Sequence, residues 1–172
     1  MAEGFRGEIN QKVDAKARVS IPAPFRRIIE AEDPDYRPGT SRPRFVLVYG
    51  GREPMLECYT MTRMAELESR ILAMEDGTRE RRYLERNMMT LSQAMEVDDD
   101  GRIVLPQKGR EKLQLALDDL KGGVEAVFAG ALTRFQIWTS EAYAQELARR
   151  DAEDADLLGE GMHMTSLLPK RA

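Results

Sequence analysis

The chain reads as a mostly β protein with flanking helices, an α+β fold in which two repeats of one chain interleave into a single barrel. Three observations point there. The sequence repeats itself, each copy carries several short runs rich in β-branched or aromatic residues, and turn signals punctuate those runs. A copy of roughly 50 residues is too small to bury a good core alone. Two copies whose strands interleave overcome that limit.

The first block of the repeat is Val13-Asp14-Ala15-Lys16-Ala17-Arg18-Val19-Ser20-Ile21-Pro22, which lies over Val97-Asp98-Asp99-Asp100-Gly101-Arg102-Ile103-Val104-Leu105-Pro106 at an offset of 84. Each reads as a hairpin. Asp98-Asp99-Asp100-Gly101 is a strong turn signal, with Gly101 free to take positive φ. The strand after each turn ends at a proline. Pro24 suits the first turn of a short helix with Phe25, Ile28 and Ile29 on one side.

A second block follows. Phe45–Tyr49 and Met55–Tyr59 form a strand pair about Gly50-Gly51, and their counterparts are Val124–Phe128 and Phe135–Trp138. The offset here is 79, so the first copy holds five extra residues. They fall in the Pro-rich polar segment 32–43, which reads as a loop. Thr60 is a good N-cap for a helix carrying Met61, Met64, Leu67, Ile71 and Met74, and the matching helix begins at Thr139-Ser140. Leu84, Met88, Leu91 and Met95 also keep helical spacing and overlap the expected first strand of copy two, which puts the boundary near Met89. The ten methionines could mark a promiscuous binding surface, but ordinary helix packing is the simpler reading. The expected organisation is a first module with a C-terminal helix over 4–80, a second over 81–150, and an acidic flexible tail over 151–172.

Composition narrows the function. Of 172 residues, 42% are hydrophobic and 33% charged, as in a globular protein with a heavily solvated surface. One cysteine, Cys58, and one histidine, His163, leave no disulfide framework, multi-His metal site or Ser-His-Asp triad. No Gly-rich phosphate loop or nucleophile–base pair appears, so neither an enzyme nor a bound cofactor or small-molecule substrate is expected. No apolar run is long enough to cross a membrane, and the N-terminal residues lack the apolar stretch of a signal peptide, so a cytoplasmic location is expected.

The net charge of −4 is unevenly spread. Residues 4–29 hold six Lys/Arg against two Asp/Glu, whereas residues 139–160 hold two against seven. The basic segment could face an anionic partner. If the two Asp-x-x-x-Arg hairpins share a face about a pseudo-twofold axis, a two-stranded element of this kind fits the DNA major groove. Arg18 and Arg102 would then reach the DNA, and Lys12 and Lys16 would contact phosphates. Asp14 and Asp98 suit a different job, accepting backbone N–H groups in the turn or holding the arginine. The plain alternative is a solvated turn with an Asp–Arg pair worth little. Asp99 and Asp100 make the second hairpin more acidic, so it should bind DNA less well or act as a brace.

These residues carry a resemblance. Phe5-Arg6-Gly7-Glu8, the two Asp-x-x-x-Arg blocks with their closing prolines, and Arg134-Phe135-Gln136-Ile137-Trp138-Thr139 closely resemble MraZ proteins over roughly residues 4–150. MraZ proteins are bacterial transcriptional regulators built from two AbrB-like modules. The resemblance implies a tandem AbrB-like swapped-hairpin β-barrel and a ring-shaped, octamer-like homo-oligomer. It also implies binding to double-stranded DNA at G-rich direct repeats upstream of the division and cell-wall gene cluster, and association with the nucleoid. The family's DNA-binding motif lands on Asp14 and Arg18, and on Asp98 and Arg102. The sequence departs at Ala17, where the family usually has glycine. Alanine resists positive φ, which predicts a differently shaped first turn. An AbrB-like antitoxin with a toxin-wrapping acidic tail, or a purely structural oligomer, are the competing readings.

Overall fold

The computed structural model describes residues 3–172. The chain divides into two compact units, Met1–Ser140 and Glu141–Ala172. Among the described residues there are eight strands. The first repeat supplies β1 (Glu8–Val13), β2 (Arg18–Ser20), β3 (Arg44–Val48) and β4 (Leu56–Thr60). The second supplies β5 (Ser92–Glu96), β6 (Arg102–Val104), β7 (Val124–Gly130) and β8 (Phe135–Thr139). Helix α1 (Ala23–Ala31) follows β2, and α2 (Met61–Leu72) follows β4. Helix α3 (Arg79–Leu84) and a π turn over 85–90 join the repeats. Helix α4 (Gln107–Lys112) follows β6, and α5 (Ser140–Glu153) follows β8.

The strands form an antiparallel six-stranded sheet in the order β1-β7-β8-β4-β3-β5, and a separate ribbon in which β2 pairs with β6. Read from either edge, the sheet presents corresponding strands of alternate repeats. The first strand of each repeat pairs with the third strand of the other, and the two fourth strands meet in the middle. Neither sheet closes on itself. The fold is therefore α+β and rich in sheet, with the repeats interleaved strand by strand.

The core follows from the period-2 pattern of the strands. All five phenylalanines meet in it. Phe135 of β8 has its ring centroid 5.2 Å from Phe5, 5.1 Å from Phe25, 5.7 Å from Phe45 and 5.9 Å from Phe128. The first three pairs are tilted and the Phe128 pair is stacked, and ring pairs at this spacing add to plain area burial. Val19 and Ile103 close the same core from the ribbon. Val46, Val48 and Tyr59 on the opposite face of β3 and β4 are covered by Met64, with Met61, Leu67, Met88 and Met89 beside them. These methionines pack as ordinary helix-to-sheet contacts.

Local signals explain the element ends. Pro22 and Pro106 stand just before α1 and α4. Thr60 Oγ1 accepts the Arg63 amide and caps α2. The junction between repeats runs helical to Thr90, where the Leu91 amide donates to the Arg86 carbonyl five residues back, and β5 starts at Ser92. The segment 32–43 is a loop. Asp33, buried within it, accepts from the Arg44 amide and guanidinium at 2.9 and 3.0 Å. In the second unit, Glu146 of α5 holds Arg149 and Arg150 at 2.6 and 2.7 Å. The hydrogen bonds from those arginines overcome burial and bring its carboxyl down to about 2.

Candidate nucleic-acid interface

The two hairpin turns are near copies. The Asp14 amide donates to the Arg18 carbonyl at 3.0 Å, and the Asp98 amide to the Arg102 carbonyl at 2.9 Å. Asp14 Oδ1 accepts the amides of Lys16 and Arg18, both at 2.9 Å. Asp98 Oδ1 accepts those of Asp100 and Arg102, again both at 2.9 Å. Each aspartate thus folds its turn by satisfying backbone donors that a tight reversal would otherwise strand.

The expectation of a differently shaped first turn is corrected. Ala17 takes φ 62° where Gly101 takes 77°. The cost of the left-handed conformation is met by three hydrogen bonds at that point. The Ala17 amide donates to the Asp14 carbonyl, its carbonyl accepts from Leu105, and Asp14 fixes the next amide. The mirror bond runs from the Ile21 amide to the Gly101 carbonyl at 2.9 Å. Each turn is therefore tied to the strand that leaves the other repeat.

Beyond the turn, β2 does not continue alongside β1. It pairs with β6, Arg18 opposite Val104 and Ser20 opposite Arg102. This exchange buries Val19 and Ile103 at the ribbon's centre, 1% and 2% exposed. Alternation then puts Arg18, Ser20, Arg102 and Val104 together on the outer face.

The arginines differ in their restraint. Arg18 Nε donates to Asp14 Oδ2 at 2.8 Å. Arg102 Nε stands 3.8 Å from Asp98 Oδ2, and its Nη2 turns to Asp100 at 3.1 Å. Arg42, from the 32–43 loop, reaches Asp99 at 3.4 Å. The Arg26 guanidinium lies over Gly101, where an added Cβ would collide with Nη1. Arginines of the first repeat therefore offset much of the second hairpin's acidity. Lys16 is exposed at the first turn. Lys12 sits apart in β1, opposite Glu125 and over Gly123.

Gly101→Ala should destabilise by about 1–2 kcal/mol, because a left-handed Ala is strained and Arg26 must move. Ala17→Gly should change stability by less than about 1 kcal/mol, since relief of strain is offset by a lost buried methyl. Urea denaturation of both variants checks the contrast. The Arg18 amide, with the Arg18 guanidinium and the Lys16 amide, holds the Asp14 carboxyl below its ordinary 3.8 against a burial effect that raises it. The Arg102 amide does the same for Asp98. A carboxyl lowered on folding stabilises the fold above its unfolded value, and the gain is lost as pH falls through its folded value. The contribution of these turns should be level from about pH 8 to 5 and fall below about pH 4, and Asp14→Asn should flatten that fall in acid titrations.

Against known proteins, the chain is 64% identical to the Transcriptional regulator MraZ of Cereibacter sphaeroides over 98% of its own length and 97% of the relative's. The chain belongs to the MraZ family. The MraZ of Ruegeria pomeroyi is 48% identical over 85% of this chain and 83% of its own. That of Nitrosococcus oceani is 24% identical over 95% and 99%. A family model described as "MraZ protein, putative antitoxin-like" matches residues 88–157. Among the described residues of this MraZ-family chain, no helix is long and apolar enough to cross a membrane.

The structure brings Asp14, Lys16 and Arg18 to one turn and Asp98 and Arg102 to the other, with both arginines on one ribbon face. Sequence reasoning passes over Ser20 and Val104, though strand alternation alone would place them beside the arginines. It also passes over Arg42, whose approach to Asp99 is set by the path of the inserted loop and leaves no local signal.

Proposed function

We propose that this chain is a sequence-specific DNA-binding transcriptional regulator. The observation that carries the reading is the β2–β6 ribbon, which presents one half-exposed arginine from each repeat on a shared outer face. A two-stranded ribbon of this width enters the major groove, where an arginine fork matches guanine O6 and N7. Arg18 and Arg102 read bases in this arrangement, and Lys12 and Lys16 contact phosphates. Asp14 and Asp98 hold the turns and aim the arginines. The names of the curated relatives favour the same role.

The finer reading follows the family. The open sheet and the ribbon form the two sides of a swapped-hairpin AbrB-like barrel built from modules 4–80 and 81–150. Copies assemble into an octamer-like ring in the cytoplasm, at the nucleoid. The ring engages G-rich direct repeats upstream of the division and cell-wall genes, and linkage between subunits raises avidity without new contacts. DNase footprinting on the DNA just upstream of the chain's own coding sequence tests this. Evenly spaced protected repeats are expected, and an unprotected region at low salt would overturn it.

The family model's antitoxin-like description and the acid-rich segment 139–160 favour a second reading, capture of a basic toxin partner. Purification of the chain with a stoichiometric small basic protein would support it. A self-assembled complex of this chain alone would count against it.

A further inference from the structure

The backbone of the ribbon has a pseudo-twofold axis, but its outer face does not. Ser20 and Val104 occupy the same place in the two repeats, two residues beyond Arg18 and Arg102. Register puts Val104 directly across from Arg18, and Ser20 across from Arg102. Opposed residues of an antiparallel pair share a face, with Cβ atoms about 4.5–5.5 Å apart. Val104 is 56% exposed. Nothing in the fold calls for an apolar side chain there, because the duplicate places a serine at the equivalent point and the inner face is already filled by Val19 and Ile103.

We infer that Val104 is a specificity-determining residue that packs on the 5-methyl group of a thymine, beside the base contacted by Arg18. This rests on the DNA-binding reading above. In the major groove only a T·A pair presents a methyl, and an apolar side chain is its natural partner. Arg18 and Val104 lie close enough to meet neighbouring base pairs, so one half of the ribbon reads a guanine next to a thymine. The other half, Arg102 with Ser20, carries no methyl reader, since a hydroxyl can bond to any base edge. The ribbon therefore has a polarity that its backbone lacks. It binds a non-palindromic site in one orientation.

The probe is a duplex selected by the full chain from a random-sequence library, with each thymine replaced in turn by deoxyuridine. That change keeps pairing and removes only the methyl. For the wild-type chain, one replacement is expected to weaken binding about three- to fivefold, the scale of one buried methyl. Val104→Ser should bind the thymine and deoxyuridine duplexes alike, and Ser20→Val should gain a methyl preference in the other half. If every replacement leaves wild-type binding unchanged while Arg18→Ala weakens it, the role of Val104 is overturned and the DNA-binding reading stands. Selected duplexes without thymine beside the arginine-contacted guanine would overturn that role in the same way. Failure to enrich any duplex overturns both. The wild-type series alone decides the matter if a variant does not fold.

Discussion

Arg18→Ala is expected to weaken binding to the preferred DNA site by about 1–3 kcal/mol and to relax base preference at one position. The side chain is held by Asp14 on the outer face of a ribbon whose inner residues carry the packing. Its removal should leave the thermal midpoint nearly unchanged, because a half-exposed Asp–Arg pair contributes little to stability. Lys16→Ala should act differently. A phosphate contact carries no sequence information, so affinity falls evenly across sites and the salt slope drops by about 1. Arg102→Ala should cost less than Arg18→Ala, since Arg102 is shared between Asp98 and Asp100. Gel-shift titrations at several salt concentrations read all three. Equal binding by Arg18→Ala and the wild type would remove the central contact of the proposal.

Phe135→Ala is expected to be the most damaging single change to the fold, about 3–5 kcal/mol. Its ring is fully buried and contacts the other four phenylalanines of the chain. Those partners come from the N-terminal segment, α1, β3 and β7, so the cavity opens where both repeats meet. Small domains are stable by only about 5–15 kcal/mol in total. Urea titration of the variant should show a midpoint lowered by about a fifth or more, and a loss under about 1 kcal/mol would mean that the neighbours collapse into the gap.

Much of this architecture is legible in the sequence. The duplicated blocks, their prolines and the alternation of apolar residues anticipate every strand and most helices, because period-2 burial and turn chemistry are local properties. Thr60 as a cap and the loop at 32–43 are read the same way. The partner of β2 is a different matter. Val19 faces the core whether the strand pairs with β1 or with β6, so hydrophobic pattern cannot choose between them, and the interleaving follows only from the smallness of one copy. Ala17 shows the limit of a propensity rule. The residue's own preference, about 1–2 kcal/mol, yields to a hydrogen-bond pattern set by Asp14 and Leu105. Arg42 and Arg26 reach the second hairpin from distant chain positions, and only the folded path of the first repeat reveals it.

The palindromic order of the sheet also dictates when the molecule can become itself. Strand β1 has no ladder partner until β7 exists, roughly 110 residues later. At ribosomal speeds of about 5–20 residues per second, the N-terminal strand waits about 5–20 s with an unsatisfied edge. The newborn first half is thus an aggregation hazard that only completion of the second half removes, and the fused duplicate ensures that the missing half is always the next thing made.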